Sequence, residues 1–361
     1  MELFLYHILV RLDGNTHACS ILPRRKTRTN RDSIVRSKIV PALICVIAPE
    51  ILAITAVRDL VRAREAWKRI ERVLKRRTSI THGYFLEMGG FCLKSHNAEY
   101  HQLATNNLEQ LAASEGFGKS TELVGLDLSE TSMNDLGKSD SLTKTLTCVQ
   151  TLWFVTQVTS RLREHKAITL LEVSTSAYAS CAVLAYAAWW KKPQGYSMPI
   201  LNVCSNDTID RLQPSEYAKT INTWAEFFWV GRDWAARMTE DGYLTLWPFT
   251  TFAIACPILF GAIHVASWNF ILPSVYELWT WRASSLFCVV CFPLSFIYSA
   301  AGKFSPSKFS ESRLGRLHGK TIHLVFLCTV CLYLIIRLYM IVEIFISLRA
   351  FPHSAYDSAH G

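Results

Sequence analysis

TIHLVFLCTVCLYLIIRLYMIVEIFISLR, residues 321–349, decides the fold. Between Leu324 and Ser347 only Arg337 and Glu343 carry charge. At 1.5 Å per residue the stretch reaches roughly 40 Å as a helix, more than the roughly 30 Å of a bilayer's hydrocarbon core. It reads as a transmembrane helix, and the rest of the chain is read outward from it.

Other apolar runs have the same character. Thr145–Leu162, Thr169–Trp190, Leu246–Trp268 and Leu278–Ala301 each approach or reach spanning length. Half of the 361 residues are apolar and only 19% are charged, against about a quarter in soluble domains. The expected fold is all-α: a polytopic transmembrane bundle of five spans with amphipathic interfacial helices. Ile39–Val57 is a sixth candidate segment, interrupted by Pro41, Pro49 and Glu50 and flanked by basic residues on both sides.

Six regions follow. Residues 1–38 are a basic N-terminal segment. Residues 39–93 hold the sixth candidate span, a basic helix and an interfacial piece. Within Arg58–Arg77, Leu60, Ala63, Trp67, Ile70 and Leu74 recur at steps of three and four. That is an apolar stripe suited to an anionic leaflet or to packing on the protein itself. The run HGYFLEMGGFCL, 82–93, is too short to span and reads as interfacial or re-entrant. Residues 94–144 form a polar cytoplasmic loop, and 145–190 a two-helix hairpin whose Ala177, Cys181 and Ala185 make a small-residue packing face. Residues 191–245 are a second cytoplasmic loop with an aromatic-rich helix at Glu216–Met238. Residues 246–361 hold three spans and a short tail.

Orientation comes from the basic residues. Lys303, Lys308, Arg313, Arg316 and Lys320 put 302–320 inside, while 269–277 has none. Six tryptophans, at 189, 190, 247, 268, 279 and 281, mark span ends, as headgroup anchoring predicts. The net charge of +9, from 38 basic and 29 acidic residues, belongs with the anionic headgroups of the lipid bilayer and not with nucleic acid.

Several collinear stretches carry a family resemblance: APEILAITAVRDLVRAR (48–64), THGYFLEMGGF (81–91), LTKTLTCVQTLWFVTQ (142–157), LLEVSTSAYA (170–179) and WWKKP (189–193). Further on come LFGAIHVASWNFILP (259–273) and RLYMIVEIFISLRAFPHSAY (337–356). Together the chain resembles an uncharacterised family of multi-spanning membrane proteins from filamentous fungi. The resemblance implies a fungal multi-pass membrane protein and no settled activity.

Chemical motifs are few. ASEGFGKS, 113–120, departs from a phosphate-cradling loop by Ala113 at its first glycine and lacks the strand that should precede it, so Lys119 reads as solvated. The pairs Cys288/Cys291 and Cys328/Cys331 have dithiol spacing, but each lies in a span and reads as packing. His82, Glu87, His96, Glu99 and His101 crowd one stretch without fitting a metal motif. No metal or cofactor is expected.

The ionisable groups at membrane depth are the remaining candidates, because placing them there is costly. Glu172, His264 and Glu343 are the candidate acid–base groups, with Glu50 and Arg337 at similar depth. Gln150, Gln157 and Arg161 form a polar stripe within about 40° of one helical face. Three functions fit. The first is a membrane scaffold or accessory protein, the reading preferred here. The second is an enzyme acting on a lipophilic small molecule, and the third a transporter.

Overall fold

A computed structural model describes residues 45–74, 77–88, 91–95, 100–102, 138–164, 168–193, 200–204, 247–270, 272–291 and 313–350. Leu43, Lys166, Pro293, Leu294 and Ile297 are described as single positions. The basic segment 1–38, the stretch 113–120, His96, Glu99, Glu216–Met238 and 302–312 lie outside the described residues.

Helices dominate what is described. They are α1 (Pro49–Leu74), α2 (Ile80–Glu87), α3 (Lys138–Arg163), α4 (Leu170–Ala188), α5 (Trp247–Val265), α6 (Val275–Leu286) and α7 (Arg313–Ser347). A π-helical turn, Phe287–Cys291, continues α6, and a 3-10 turn, Leu348–Ala350, ends α7. The all-α expectation needs one amendment. Strands β1 (Phe91–Ser95), β2 (Tyr100–Gln102) and β3 (Ile200–Cys204) form a small sheet in the order β2-β1-β3. The β1/β2 pair is antiparallel, with Leu93 opposite His101. The β1/β3 pair is parallel, running from Phe91 opposite Ile200 to Ser95 opposite Cys204. Phe-Cys-Leu at 91–93 is therefore strand, where an interfacial segment was expected.

Among the described residues two helices, Leu170–Ala188 and Leu324–Ser347, are long and apolar enough to cross a membrane, against the five spans expected. Each shortfall has a local cause. Helix α3 is long enough, but Gln150, Gln157 and its threonines dilute its apolar run. The apolar part of α5 is the shorter Thr251–Val265. Helix α6 itself is 12 residues before the helical pitch changes at Phe287.

The chain divides into two compact units, one of residues 1–43, 55–147 and 186–223 and the other of residues 44–54, 148–185 and 224–361. In the first, α2 lies directly on α1. A Cβ added at Gly83 would sit 2.0 Å from the carbonyl oxygen of Ala63, so only glycine permits this approach. Ala63, Ala66 and Ile70 are buried, so the middle of the basic helix's stripe faces protein. The Nε1–H of Trp67 donates to the carbonyl of Thr78 at 3.1 Å and pins the turn between the two helices.

In the second unit, Ala48, Ile51, Leu170, Leu272, Trp281, Cys288, Tyr333, Met340 and Ile344 make one core. The small-residue face of α4 is buried as expected, with Ala177, Cys181 and Ala185 at 0–2% exposure. Gly261 of α5 meets the π turn closely: an added Cβ would lie 2.7 Å from Val289 Cγ2. The π turn separates the first cysteine pair, leaving Cys288 buried and Cys291 exposed. Helix α7 turns Arg337 and Glu343 inward, at 1% and 2% exposure. Ile335, Leu338, Val342 and Phe345 on its outer side are 52–64% exposed.

Candidate functional site

The second unit builds its polar centre around a helix break. Pro49 opens α1 and has no N–H to donate, and the Ile51 amide bonds back to Ala48, at 3.1 Å. The carbonyls of Val46 and Ile47, beside this break, accept from side chains far along the chain. Arg337 Nε donates to Ile47 at 2.7 Å, and the Tyr178 hydroxyl donates to Val46. Arg337 Nη2 also donates to the Tyr178 hydroxyl at 3.0 Å, joining the two contacts. One side of the guanidinium lies over the Phe260 ring at 4.3 Å, which suits a cation withdrawn from water.

Glu50 follows the break in the first turn of α1 and is 1% exposed. The Tyr333 hydroxyl donates to its Oε1, while Oε2 has no hydrogen-bond partner among the described residues. His264 adds a third group. Its Nδ1 lies 2.9 Å from the Phe260 carbonyl, an acceptor, so the ring proton sits on Nδ1. Nε2 is then a bare acceptor, buried and without a hydrogen-bond partner among the described residues. The imidazole sits between Phe260, at 4.7 Å, and Trp281, at 6.0 Å between ring centroids. Trp281 Nε1 donates to Ser267 Oγ at 2.9 Å, and Ser267 Oγ donates to the His264 carbonyl at 2.6 Å, fixing the corner after α5.

The structure thus gathers Glu50, Tyr178, Phe260, His264, Tyr333 and Arg337 at one centre. Only His264 of the three acid–base candidates belongs to it. Glu343 is buried six residues beyond Arg337 with its Oε1 unpartnered among the described residues. Glu172 is the third residue of α4 and closes its N-terminus. Its Oε2 accepts from the Thr169 amide at 2.8 Å, and its own amide donates to Thr169 Oγ1 at 3.1 Å. This is the reciprocal capping arrangement that Thr-Leu-Leu-Glu, 169–172, encodes. Glu172 Oε1 also lies 3.3 Å from Arg161 Nε. Of the polar stripe, Arg161 is taken up by that pair, while Gln150 and Gln157 are exposed. The Ser274/Glu277 pair caps α6 in the same way, with the Glu277 amide donating to Ser274 Oγ at 3.2 Å.

Two residues missed in the sequence are Tyr178 and Tyr333. Aromatic residues within apolar runs give no sign of the buried ion they serve.

In the first unit, the Lys192 ammonium is 2.9 Å from Asp59 Oδ2 and 4.8 Å from the Trp189 ring centroid. Trp189 Nε1 donates to the same Asp59 oxygen at 3.2 Å. Burial alone would raise the Asp59 carboxyl, but the Lys192 ammonium and the Arg58 guanidinium outweigh it and hold Asp59 below the usual carboxylate range. Trp189 and Trp281, expected at headgroup level, are thus buried in protein with their N–H groups used. His82 accepts from the Ser79 amide through Nδ1 at 3.1 Å, a turn-closing role at the start of α2. Among the described residues no group of three or more His, Cys, Asp or Glu side chains is placed to hold a metal ion.

The described residues define a mainly helical protein with a buried arginine centre and, among them, two helices long and apolar enough to cross a membrane. It belongs to a family of unknown function, DUF8562, whose match covers residues 19–212. The Arg337 centre draws on both sides of that boundary, with Glu50 and Tyr178 inside it and Phe260, His264, Tyr333 and Arg337 beyond. No curated protein and no solved structure matches the chain.

Proposed function

We propose that this chain is a five-span, multi-pass membrane protein of fungal origin, acting as a non-catalytic scaffold or accessory component in a lipid bilayer with anionic headgroups. Helix α7 carries the reading. Its apolar residues point outward, its Arg337 inward, and the described hydrogen bonds of that cation end on protein groups from two other segments. An apolar exterior around a paired ion is the arrangement a bilayer favours, and such pairing holds helices together without needing a ligand. The second reading, an enzyme acting on a lipophilic substrate, draws on His264, whose Nε2 could accept a proton.

Expression of full-length variants in a strain lacking the protein tests the proposal. The chain should remain in the pellet after alkaline extraction. The sequon Asn206-Asp-Thr208, on the side assigned to the cytoplasm, should stay unglycosylated. His264→Gln should restore the parental metabolite profile; loss of that profile at normal membrane abundance favours the enzyme.

A further inference from the structure

We infer that Arg282 of α6 anchors a phospholipid: it takes the phosphate of one lipid at the end of α6 assigned to the outside. The inference goes beyond the scaffold reading and rests on its membrane placement.

The guanidinium is held in place by groups that leave its charge unmet. Side chains on a helix lean toward its N-terminus, and Arg282 reaches back in that direction. Its Nε donates to the Trp268 carbonyl at 3.0 Å, in the corner after α5. Its Cζ lies 4.9 Å from the Trp268 ring centroid and 5.1 Å from that of Trp279. Two indoles and a carbonyl thus fix the head of the side chain. Bonding the Trp268 carbonyl uses one of the five N–H donors of an arginine. Among the described residues Nη1 and Nη2 make no hydrogen bond, and no carboxylate pairs with the ion. Glu277, on the same helix, turns its Oε2 to the Ser274 amide at 3.0 Å.

The open edge selects the ligand. Nη1 and Nη2 present N–H groups in the planar fork that matches two oxygens of a phosphate. Neither nitrogen is enclosed by the protein. A cation withdrawn partly from water by two indoles needs a counter-ion, and the described residues supply none.

The surface around the ion makes that phosphate a lipid's. Val275, Trp279, Arg282 and Leu286 fall within about 60° of one face of α6 at about 100° per residue. Val275 is 67%, Trp279 60% and Leu286 44% exposed, and the neighbouring Tyr276 is 86% exposed. A free phosphate gains nothing from such an apolar face. A phospholipid matches it, with its phosphate on the guanidinium and the indoles at headgroup level. Its acyl chain then runs along Leu286, one turn deeper.

Photolabelling of the purified full-length chain in maltoside tests this. The probes are a diazirine-bearing phosphatidylglycerol and the matching diacylglycerol, which lacks only the phosphoglycerol head. Labelled peptides are read by mass spectrometry. Phosphatidylglycerol should label residues 268–286 roughly tenfold more than diacylglycerol, the scale of hydrogen bonds to a charged group. Arg282→Gln should lower that labelling to the diacylglycerol level. Arg349→Gln removes an exposed cation at the end of α7 and should change nothing. Equal labelling of the parent by both probes overturns the proposal without any variant having to fold. An equal loss in Arg349→Gln overturns it as well. Loss of label on adding inorganic phosphate equimolar with the probe also overturns it, because the ligand is then a soluble phosphate. Alkaline extraction of membranes is scored separately. Release of the chain overturns the membrane reading, whereas retention without phosphate-dependent label overturns the lipid site alone.

Discussion

The Lys192 ammonium, 1% exposed, lies 2.9 Å from Asp59 Oδ2 and joins the residues after α4 to the middle of α1. Removing the carboxylate takes a counter-charge away from a buried cation. Asp59→Asn should therefore cost about 3 kcal/mol, read as a lower unfolding midpoint of purified protein. The pH dependence has a definite sign. The folded Asp59 pKa is below its unfolded value, so the contribution is complete above an unfolded pKa of about 4 and is lost as pH falls through the folded value. The gap in midpoint between parent and Asp59→Asn should narrow only below that pH.

Gly83→Ala should be among the most damaging small substitutions in the first unit. The new methyl would meet the Ala63 carbonyl oxygen at 2.0 Å, an obstacle belonging to the backbone of α1. Trimming a neighbour such as Trp67 cannot relieve it. The helices must separate, at a cost of about 2 kcal/mol or more. A thermal midpoint for Gly83→Ala equal to that of the parent would refute the close approach.

Arg337→Lys should fail to replace arginine. The guanidinium reaches the Ile47 carbonyl and the Tyr178 hydroxyl from different nitrogens while lying flat on Phe260. A single ammonium cannot hold all three positions. The expected cost is about 2 kcal/mol, seen as reduced folded yield in membranes. Tyr178→Phe should show a smaller loss in the same assay, because Arg337 keeps its bond to Ile47.

The three acid–base candidates should respond differently to glutamine. Glu172→Gln keeps a side chain that can complete the capping box and loses only its ionic attraction to Arg161, so its cost should stay within about 1 kcal/mol. Glu343→Gln removes a buried charge and should leave abundance at or above the parental level. For His264→Gln, abundance should change little, since hydrogen bonds inside membranes average about 0.6 kcal/mol. Immunoblots of isolated membranes, run beside the metabolite profile, separate these outcomes.

How much of this could be read beforehand depended on the range of the interaction. Helices α4 and α7 are legible from long apolar runs, and the packing face of α4 from its four-residue spacing. The Thr169/Glu172 cap is equally local, encoded in four consecutive residues. The bond of Tyr333 to Glu50 joins residues 283 positions apart, and that of Arg337 to Ile47 spans 290. No periodicity encodes such pairs, and neither does composition. Arg337 and Glu50 could be recognised as needing partners, but the identity of those partners lies in the tertiary fold. Gly83 was invisible for the same reason, since its role depends on which carbonyl passes beside it.

Strand β1 has consequences in time. Its parallel neighbour β3 arrives only after roughly a hundred further residues have been made, with α3 and α4 among them. At ribosomal speeds of about 5–20 residues per second, β1 waits on the order of 5–20 s for that partner. Until then the edge at Phe91–Ser95 can pair only with β2, and its other side is open to any strand of a neighbouring nascent chain. The sheet is small, yet it sets a delay into biogenesis, and the period before β3 emerges is when a chaperone's protection of this chain matters most.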